Sequence, residues 1–149
     1  MEYQIAQLNI AKAKYPLDDP RMKEFVDALP EINKIGESSP GFVWILKDDT
    51  GTAVAFNLFD DPTLLVNMTV WETLEDMRSF AYQSQHGVYF KRRREWFESL
   101  DREPVVLWWV KKGHIPTLAE AKEKMEKLWS DGPTPAAFSF KKIYQPIER

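Results

Sequence analysis

The chain has 149 residues, of which 44% are hydrophobic and 29% charged, and its formal net charge is −3. A mildly acidic chain of this length is typical of one globular domain, and it disfavours nucleic-acid binding because proteins that bind phosphate backbones are usually basic. The sequence has no cysteine, which excludes disulfides, thiolate nucleophiles and cysteine-based metal sites. We expect a single domain over residues 1–149, with a core at about 3–112 and a C-terminal helix and arm at about 113–149.

The N-terminal sequence lacks the basic region and long apolar stretch of a signal peptide. No apolar run approaches the roughly 20 residues that a membrane-spanning helix needs. We therefore expect a cytoplasmic protein that contacts neither membrane nor nucleic acid.

The first predicted strand is "EYQIAQLNIA". Its alternation places Gln7 and Asn9 on one face, and Ala6, Leu8 and Ile10 on the other.

A helix is predicted at about 20–36, where apolar residues recur at helical spacing. Asp19 is its predicted N-cap and Pro20 its first residue. We expect Pro30 to kink this helix and Gly36 to end it.

The second predicted strand is "GFVWILK", and a short strand is predicted at about 53–59. The third is "TLLVNMTVWE", in which Asn67, Thr69 and Trp71 share one face by alternation. Amides on otherwise apolar strands are costly unless they are paired, so this face is a candidate ligand site.

Two helical segments follow the third strand. Thr73 is the predicted N-cap of the first, in "TLEDMRSF", and the second is predicted at about 85–100. A fourth strand, "PVVLWWVKK", leads to a helix at 118–130, which Thr117 and Glu120 begin as a capping box.

The order β-α-β-β-α-β predicts a ferredoxin-like α+β fold, with a four-stranded antiparallel sheet and an added C-terminal helix. "VVLWWV" is apolar at every position, so both faces of the sheet are expected to be covered. A second copy of the sheet would provide the missing cover, which predicts a homodimer through the sheet face. The alternative is that the C-terminal arm covers this face within one chain.

The segment "SQHGVYFKRRREWF" carries the other candidate site residues. On a helix, His86, Tyr89, Phe90, Arg93 and Phe97 would share one inward face, and the remaining cations would face solvent. One interpretation is structural, with His86 bonded to a backbone carbonyl and Arg93 paired with Glu72 or Asp76. The other is a pocket between helix and sheet.

In the pocket interpretation, His86 acts as a base and Arg93 stabilises negative charge on a substrate oxygen. The candidate catalytic residues are therefore His86 and Arg93. The candidate substrate-binding residues are Asn9, Asn67, Trp71, Tyr82 and Tyr89. Neither histidine has a metal-ligand spacing, and no glycine-rich nucleotide loop is present, so we expect no metal and no bound cofactor.

The segments "SPGFVW", "VNMTVWETLEDMRSFAYQSQHGVYFKRRREWF" and "LWWVKKGHIPTLAEAKEKMEKLWSDGPTPAAFSF" resemble one bacterial family of unknown function. That family is placed in the dimeric alpha-beta barrel superfamily, beside the antibiotic-biosynthesis monooxygenases. The resemblance extends from Ala6 to about Phe140 and implies that two sheets pair face to face as a barrel.

Relatives in this superfamily include cofactor-free oxygenases, haem-degrading enzymes, small-lactone isomerases and plain ligand-binding proteins, so the resemblance implies several alternative functions. In cofactor-free oxygenases of the superfamily, Trp and Asn hold an aromatic substrate that reacts directly with oxygen, and Asn9, Asn67 and Trp71 are compatible with that role. The haem-degrading members resemble this chain at Asn9 and Trp71, but Phe80 or Ala81 stands where they have histidine.

The first hypothesis is thus a cofactor-independent, monooxygenase- or isomerase-like enzyme acting on a small aromatic or apolar molecule. The alternatives are a non-catalytic dimeric protein that binds an apolar metabolite, and a haem binder with His86 as the axial ligand.

Overall fold

The structure is a computed structural model that describes residues 2–16, 18–46, 64–83 and 92–146, without the side chains of residues 29, 81–83 and 93. The strands are β1 (Tyr3–Ala13), β2 (Phe42–Ile45), β3 (Leu64–Trp71), β4 (Phe97–Glu98) and β5 (Val105–Lys111). The helices are α1 (Lys23–Glu37), α2 (Leu74–Gln83) and α3 (Leu118–Asp131), with 3₁₀ turns at Pro20–Met22 and Arg93–Glu95.

The strands form one antiparallel sheet in which β3 separates β2 from β1, and β1 also pairs with both β4 and β5. The register between β1 and β3 places Ile5 opposite Trp71, Gln7 opposite Thr69 and Asn9 opposite Asn67. This is the predicted ferredoxin-like α+β fold, extended by the two-residue strand β4 and the C-terminal helix α3.

Helix α3 covers one face of the sheet, called here the α3 face. The sheet residues of this buried cluster are Ala6, Leu8, Ile10, Val66, Met68, Val70, Val106, Trp108 and Val110. Ala121, Met125 and Leu128 of α3 pack on them. The expectation that both sheet faces are covered is confirmed, but this cover belongs to the same chain. A homodimer through this face stays a prediction, and the apolar strands no longer require it.

The opposite face is called here the pocket face, because it carries the strand residues that the sequence predicted to line a pocket. It is covered at both ends and polar in the middle. One apolar cluster joins Ile5, Trp71 and Leu107 to Met77 of α2 and to Phe138. A second cluster, at the far end of β1, joins Ala13 and Leu65 to Met22, Trp96 and the first turn of α1. Both clusters bury large rings, so they fix where α1 and α2 lie over the sheet.

The first helical segment differs from the prediction at both ends. Asp19 accepts a hydrogen bond from the Arg21 backbone N–H, but it caps the 3₁₀ turn at Pro20–Met22, and α1 starts only at Lys23. The helix continues through Pro30 and ends at Glu37. Gly36 does not end it, because it lies in the last turn, buried against α2.

The predicted helix at 85–100 is wrong over its second half. The chain there forms the 3₁₀ turn Arg93–Glu95 and then β4, whose Phe97 pairs with Ala13 of β1. Residues 84–91 and the predicted strand at 53–59 lie outside the described residues. A turn followed by a strand buries Trp96 as well as a helix would, so the aromatic spacing alone could not distinguish a helix from a turn and strand.

The two remaining helix starts are confirmed. Thr73 accepts a hydrogen bond from the backbone N–H of Asp76, and Thr117 accepts one from Glu120. The arm after α3 packs on the body, since Phe138 exchanges two backbone hydrogen bonds with Leu107 of β5. Among the described helices, none is long and apolar enough to cross a membrane.

Candidate functional site

A strip of uncharged polar side chains crosses the middle of the pocket face. It consists of Gln7, Asn9, Asn67 and Thr69, and we call it the polar strip. The alternation of β1 and β3 puts all four on the same face, and the antiparallel register places them side by side. Apolar clusters lie at both ends, so these amides interrupt an otherwise apolar surface.

Three hydrogen bonds connect most of the strip to Trp71. The indole Nε1 of Trp71 donates to Thr69 Oγ1 over 2.9 Å. Gln7 Nε2 donates to the same oxygen over 2.9 Å and to Asn67 Oδ1 over 3.1 Å. Thr69 is 3% exposed and Trp71 is 1% exposed, so these bonds hold the indole in place and connect it to the amides.

The strip keeps hydrogen-bonding capacity that no described residue uses. Gln7 Oε1 and Asn67 Nδ2 have no partner among the described side chains, and neither has the amide of Asn9. Gln7, Asn9 and Asn67 are half-buried, so these groups are within reach of a small molecule. Such a set of unused donors and acceptors beside aromatic rings can orient a planar ligand.

Aromatic side chains form the wall on the Trp71 side. The ring of Phe80 in α2 stacks on Trp71 at a centroid distance of 5.2 Å, and Phe42 meets its edge at 5.7 Å. Gly36 permits this stacking, because a Cβ there would lie 3.3 Å from Phe80 Cζ. The glycine predicted to end α1 therefore lets α1 approach Phe80 closely.

The other wall is also aromatic. Phe25 of α1 packs against Trp96 at 5.6 Å and against Phe97 at 4.9 Å. Trp96 is buried and Phe97 belongs to β4, so this end of the face is closed by the segment where a longer helix was predicted. The polar strip thus lies between two sets of rings.

The C-terminal arm adds residues to this face that sequence analysis missed. Phe138 is fully buried beside Leu107, and Tyr144 contacts Phe138 at 5.9 Å. The backbone carbonyl of Tyr144 accepts a hydrogen bond from Trp109 Nε1 at 2.8 Å. The segment "AAFSF" has no strong periodicity, so only its aromatic content could have indicated burial.

Charged groups of the described residues lie at the rim of this region. Arg92 donates to both carboxylate oxygens of Glu24 in α1 and also to Glu95. Its guanidinium lowers the pKa of Glu24 and Glu95 below their ordinary values, mainly through these hydrogen bonds, and its own pKa is raised. The sequence did not single out the ion pairs of Arg92, because Arg92 is one of four consecutive cations and nothing in the run distinguishes it from the others.

Asn9, Asn67 and Trp71 lie on the same face of the sheet, where the register places Asn9 opposite Asn67. Tyr82 lies in the last turn of α2, and Arg93 begins the 3₁₀ turn Arg93–Glu95. The structure describes the backbone of both residues but not their side chains. His86 and Tyr89 lie outside the described residues. The roles of all seven candidate residues stay predictions.

A concavity lies on the α3 face, at the far end of β1 and on the side of the sheet opposite to the polar strip. It encloses about 1170 Å³ between Ile10, the segment 99–103 and the C-terminal turn of α3. Arg102 packs over the Trp129 ring, and Lys141 pairs with Glu103, so several of its charges already have partners. Among the residues that the structure describes, no three potential ligands are grouped to hold a metal ion.

Comparison with known proteins gives a family and a fold. The sequence matches a domain of unknown function (DUF3291) over residues 4–149, which confirms the resemblance to a family of unknown function. No curated protein matches the chain.

Three solved structures are similar over most of their length. The first is a protein of unknown function from Nitrosomonas europaea (TM-score 0.50, 10% identity, covering 77% of this chain and 94% of that one). The second is SnoaB, a cofactor-independent oxygenase from Streptomyces nogalater (0.48, 16%, 76% and 98%). The third is a monooxygenase of Streptomyces coelicolor in complex with nanaomycin D (0.45, 15%, 76% and 92%). At these identities the likenesses concern the fold alone.

Proposed function

We propose that this chain, which belongs to the DUF3291 family, binds an uncharged planar small molecule on the pocket face. The function that this site supports best is cofactor-independent chemistry on that molecule, of a monooxygenase-like or isomerase-like kind. The observation that carries the proposal is the polar strip, whose unused amide groups lie between two aromatic clusters.

Burial makes this observation informative. Strand positions on a helix-covered face are normally apolar, because an amide without a partner costs free energy there. In this chain the face carries two asparagines and a glutamine in register, of which only Gln7 and Asn67 are joined by a hydrogen bond. A ligand that pairs with Asn9 and with the free ends of the other amides would offset that cost.

In the enzyme hypothesis, Asn9, Asn67 and Trp71 orient the substrate, and Tyr82 and Tyr89 contact it. His86 takes a proton from an enolisable carbon, and the electron pair moves onto the substrate oxygen, where Arg93 stabilises the charge. An isomerase-like reaction returns the proton to a different carbon. A monooxygenase-like reaction converts a methylene and O₂ into a carbonyl and water.

Ligand binding is tested by calorimetry with a set of uncharged bicyclic and tricyclic aromatic compounds. Asn67→Ala should weaken binding by about tenfold, the scale of one lost hydrogen bond. Ser130→Ala, which changes an exposed residue of α3, is the control and should leave binding unchanged. Equal affinities for the two variants would contradict the proposal.

Catalysis is tested with His86→Ala, using the other histidine for the control variant His114→Ala. The enzyme hypothesis predicts that only His86→Ala stops substrate turnover or O₂ consumption, with thermal stability nearly unchanged. If binding is retained in the wild type but no turnover is found with any bound compound, the non-catalytic binding protein becomes the better interpretation.

The haem hypothesis requires His86 as the axial ligand. Its test is haem titration of the wild-type protein, in which a Soret shift that His86→Ala removes and His114→Ala keeps would favour it. The absence of such a shift would leave the small-molecule proposal as stated.

The proposal requires only one chain. A partner sheet could contact Trp108 only if α3 moved away from it, since Trp108 is buried there and donates a hydrogen bond to Glu120 at 2.9 Å. Pairing through another surface would leave the polar strip intact.

A further inference from the structure

We infer that the polar strip binds both carbonyl-bearing and N–H- or hydroxyl-bearing forms of one uncharged planar ligand, because the amides of Gln7 and Asn67 can reverse together. This inference rests on the proposed binding function. It concerns which chemical groups the strip recognises.

Only one group of the network has a fixed direction. The indole N–H of Trp71 can donate but cannot accept, so it always donates to Thr69 Oγ1. The Thr69 hydroxyl and the amides of Gln7 and Asn67 can each donate or accept. Their directions therefore depend on one another and on any ligand.

In the arrangement described above, Gln7 Nε2 points to Thr69 and Asn67. Gln7 then presents Oε1, an acceptor, at its free end, and Asn67 presents Nδ2, a donor. Thr69 Oγ1 already accepts two hydrogen bonds, so its proton needs an acceptor other than Gln7.

A half-turn of both amides gives the second arrangement. Gln7 Oε1 then accepts from Asn67 Nδ2 and from the Thr69 hydroxyl, with the same pairs of side chains in contact. The bond from Trp71 is unchanged, and the Thr69 proton gains a partner. Gln7 now presents a donor at its free end, and Asn67 presents an acceptor.

The two arrangements exchange donor and acceptor at fixed positions. A ligand carbonyl beside Gln7 is bound by the second arrangement, and a ligand N–H or hydroxyl is bound by the first. β1 and β3 present no charged side chain on this face, so an ionised ligand gains no ion pair from the strip. The ligand class that fits is an uncharged ring compound whose keto and enol forms interconvert.

The test uses three bicyclic probes of similar shape: indole donates only, 1-indanone accepts only, and indane does neither. Binding to the wild-type chain is measured by calorimetry, and the side-chain NH₂ resonances of Gln7 and Asn67 are followed by NMR. We expect both indole and 1-indanone to bind more tightly than indane. 1-Indanone should bind more tightly than indole, but by no more than about tenfold, because only the arrangement that binds a carbonyl gives the Thr69 proton a partner.

Asn67→Asp should fix the direction of the network, because a carboxylate only accepts and Gln7 must then turn Nε2 towards it. Gln7 Oε1 faces the ligand permanently, so 1-indanone binding should weaken about tenfold more than indole binding. Asn9→Asp is the matched control, since it adds the same charge on the paired strand without restricting Gln7. It should weaken both probes equally.

Gln7→Glu is the second locked variant and replaces Asn67→Asp if circular dichroism shows that the latter is unfolded. Its carboxylate presents only acceptors, so the same selective loss of 1-indanone is expected. A wild type that prefers one polar probe by more than about tenfold overturns the inference. Equal effects of the locked variants and Asn9→Asp also overturn it, with the proposed function retained. If neither polar probe binds more tightly than indane, the proposed site itself is overturned.

Discussion

Thr69 is the residue on which the polar strip depends, because its single side-chain oxygen accepts from both Trp71 and Gln7. Thr69→Val keeps the shape of the side chain and removes the hydroxyl, which leaves the indole N–H of Trp71 buried without this partner. We expect the free energy of unfolding to fall by about 1–3 kcal/mol, as measured by denaturant titration. Thr69→Ser keeps the hydroxyl and should cost less, so a larger loss for Ser than for Val would contradict this role.

Stability also depends on Gly41, because both its backbone conformation and the neighbouring Asp76 disfavour a side chain at this position. Its φ is +80°, and a Cβ there would lie 2.0 Å from Asp76 Oδ2 at the first turn of α2. We expect Gly41→Ala to lower the free energy of unfolding by more than about 2 kcal/mol, because backbone strain adds to the clash. Gly113→Ala is the control.

Gly113 has a φ of +92° and nothing within 4 Å of its would-be Cβ, so only the strain applies and a loss of about 1 kcal/mol is expected. Both variants are measured by thermal and denaturant unfolding. Equal losses would mean that Asp76 moves aside without cost.

At the scale of elements, Arg92 joins α1 to the segment that precedes β4. Its hydrogen bonds lower the pKa of Glu24 and Glu95, so the folded chain binds fewer protons at these carboxyls than the unfolded chain. Their contribution to stability is therefore present above the ordinary pKa of 4.5 and is lost as the pH falls through the lowered values. All three side chains are partly exposed, so salt should weaken the effect.

Arg92→Met should consequently flatten the acid side of the stability profile. We expect the wild type to lose more stability than this variant as the pH is lowered from neutral through the range below 4.5. Arg94→Met removes the same charge from an exposed neighbour and should keep the wild-type profile. Unfolding midpoints in urea at a series of pH values would measure this, and identical profiles for all three proteins would exclude the ion-pair explanation.

Sequence patterns predicted the elements whose periodicity is regular. Alternation placed Gln7 with Asn9 on one face of the first strand, and Asn67 with Trp71 on one face of the third, because successive side chains of a strand point to opposite faces. The register between β1 and β3 then shows that the two faces are the same. Capping boxes located the starts of α2 and α3 because Thr73 and Thr117 accept from specific backbone donors. The strand and face of each of these side chains were therefore predictable, whereas their roles stay predictions.

The unpredicted parts are those where periodicity fits more than one structure. Aromatic spacing in the segment before β4 suits a helix, yet Trp96 is equally well buried by a turn and a short strand. The burial of Trp108 indicates that the α3 face is covered, but it carries no information on whether α3 or another chain covers it. Phe138 lies on the pocket face as part of an irregular arm. Such an arm has no hydrophobic periodicity from which its position could be predicted.

At the scale of the whole molecule, the decisive question is whether the folded chain depends on a partner. Both sheet faces are buried within one chain, and Ile115 is the only large hydrophobic residue of the described part that is exposed. A chain that buries its own core has a melting temperature independent of concentration, whereas an obligate dimer melts at a higher temperature when it is more concentrated. We expect the melting temperature to change by no more than about 2 °C over a hundredfold dilution.

Trp108→Glu distinguishes the same two assemblies by a different route. If α3 covers Trp108, the glutamate places a carboxylate where only 1% of the side chain is exposed, and the chain should lose several kcal/mol of stability or fail to fold. If a partner sheet covers it, the variant should instead be a folded monomer. Circular dichroism with sedimentation velocity separates these outcomes. A folded monomer, together with a concentration-dependent wild type, would show that α3 yields the sheet face to a second copy in solution.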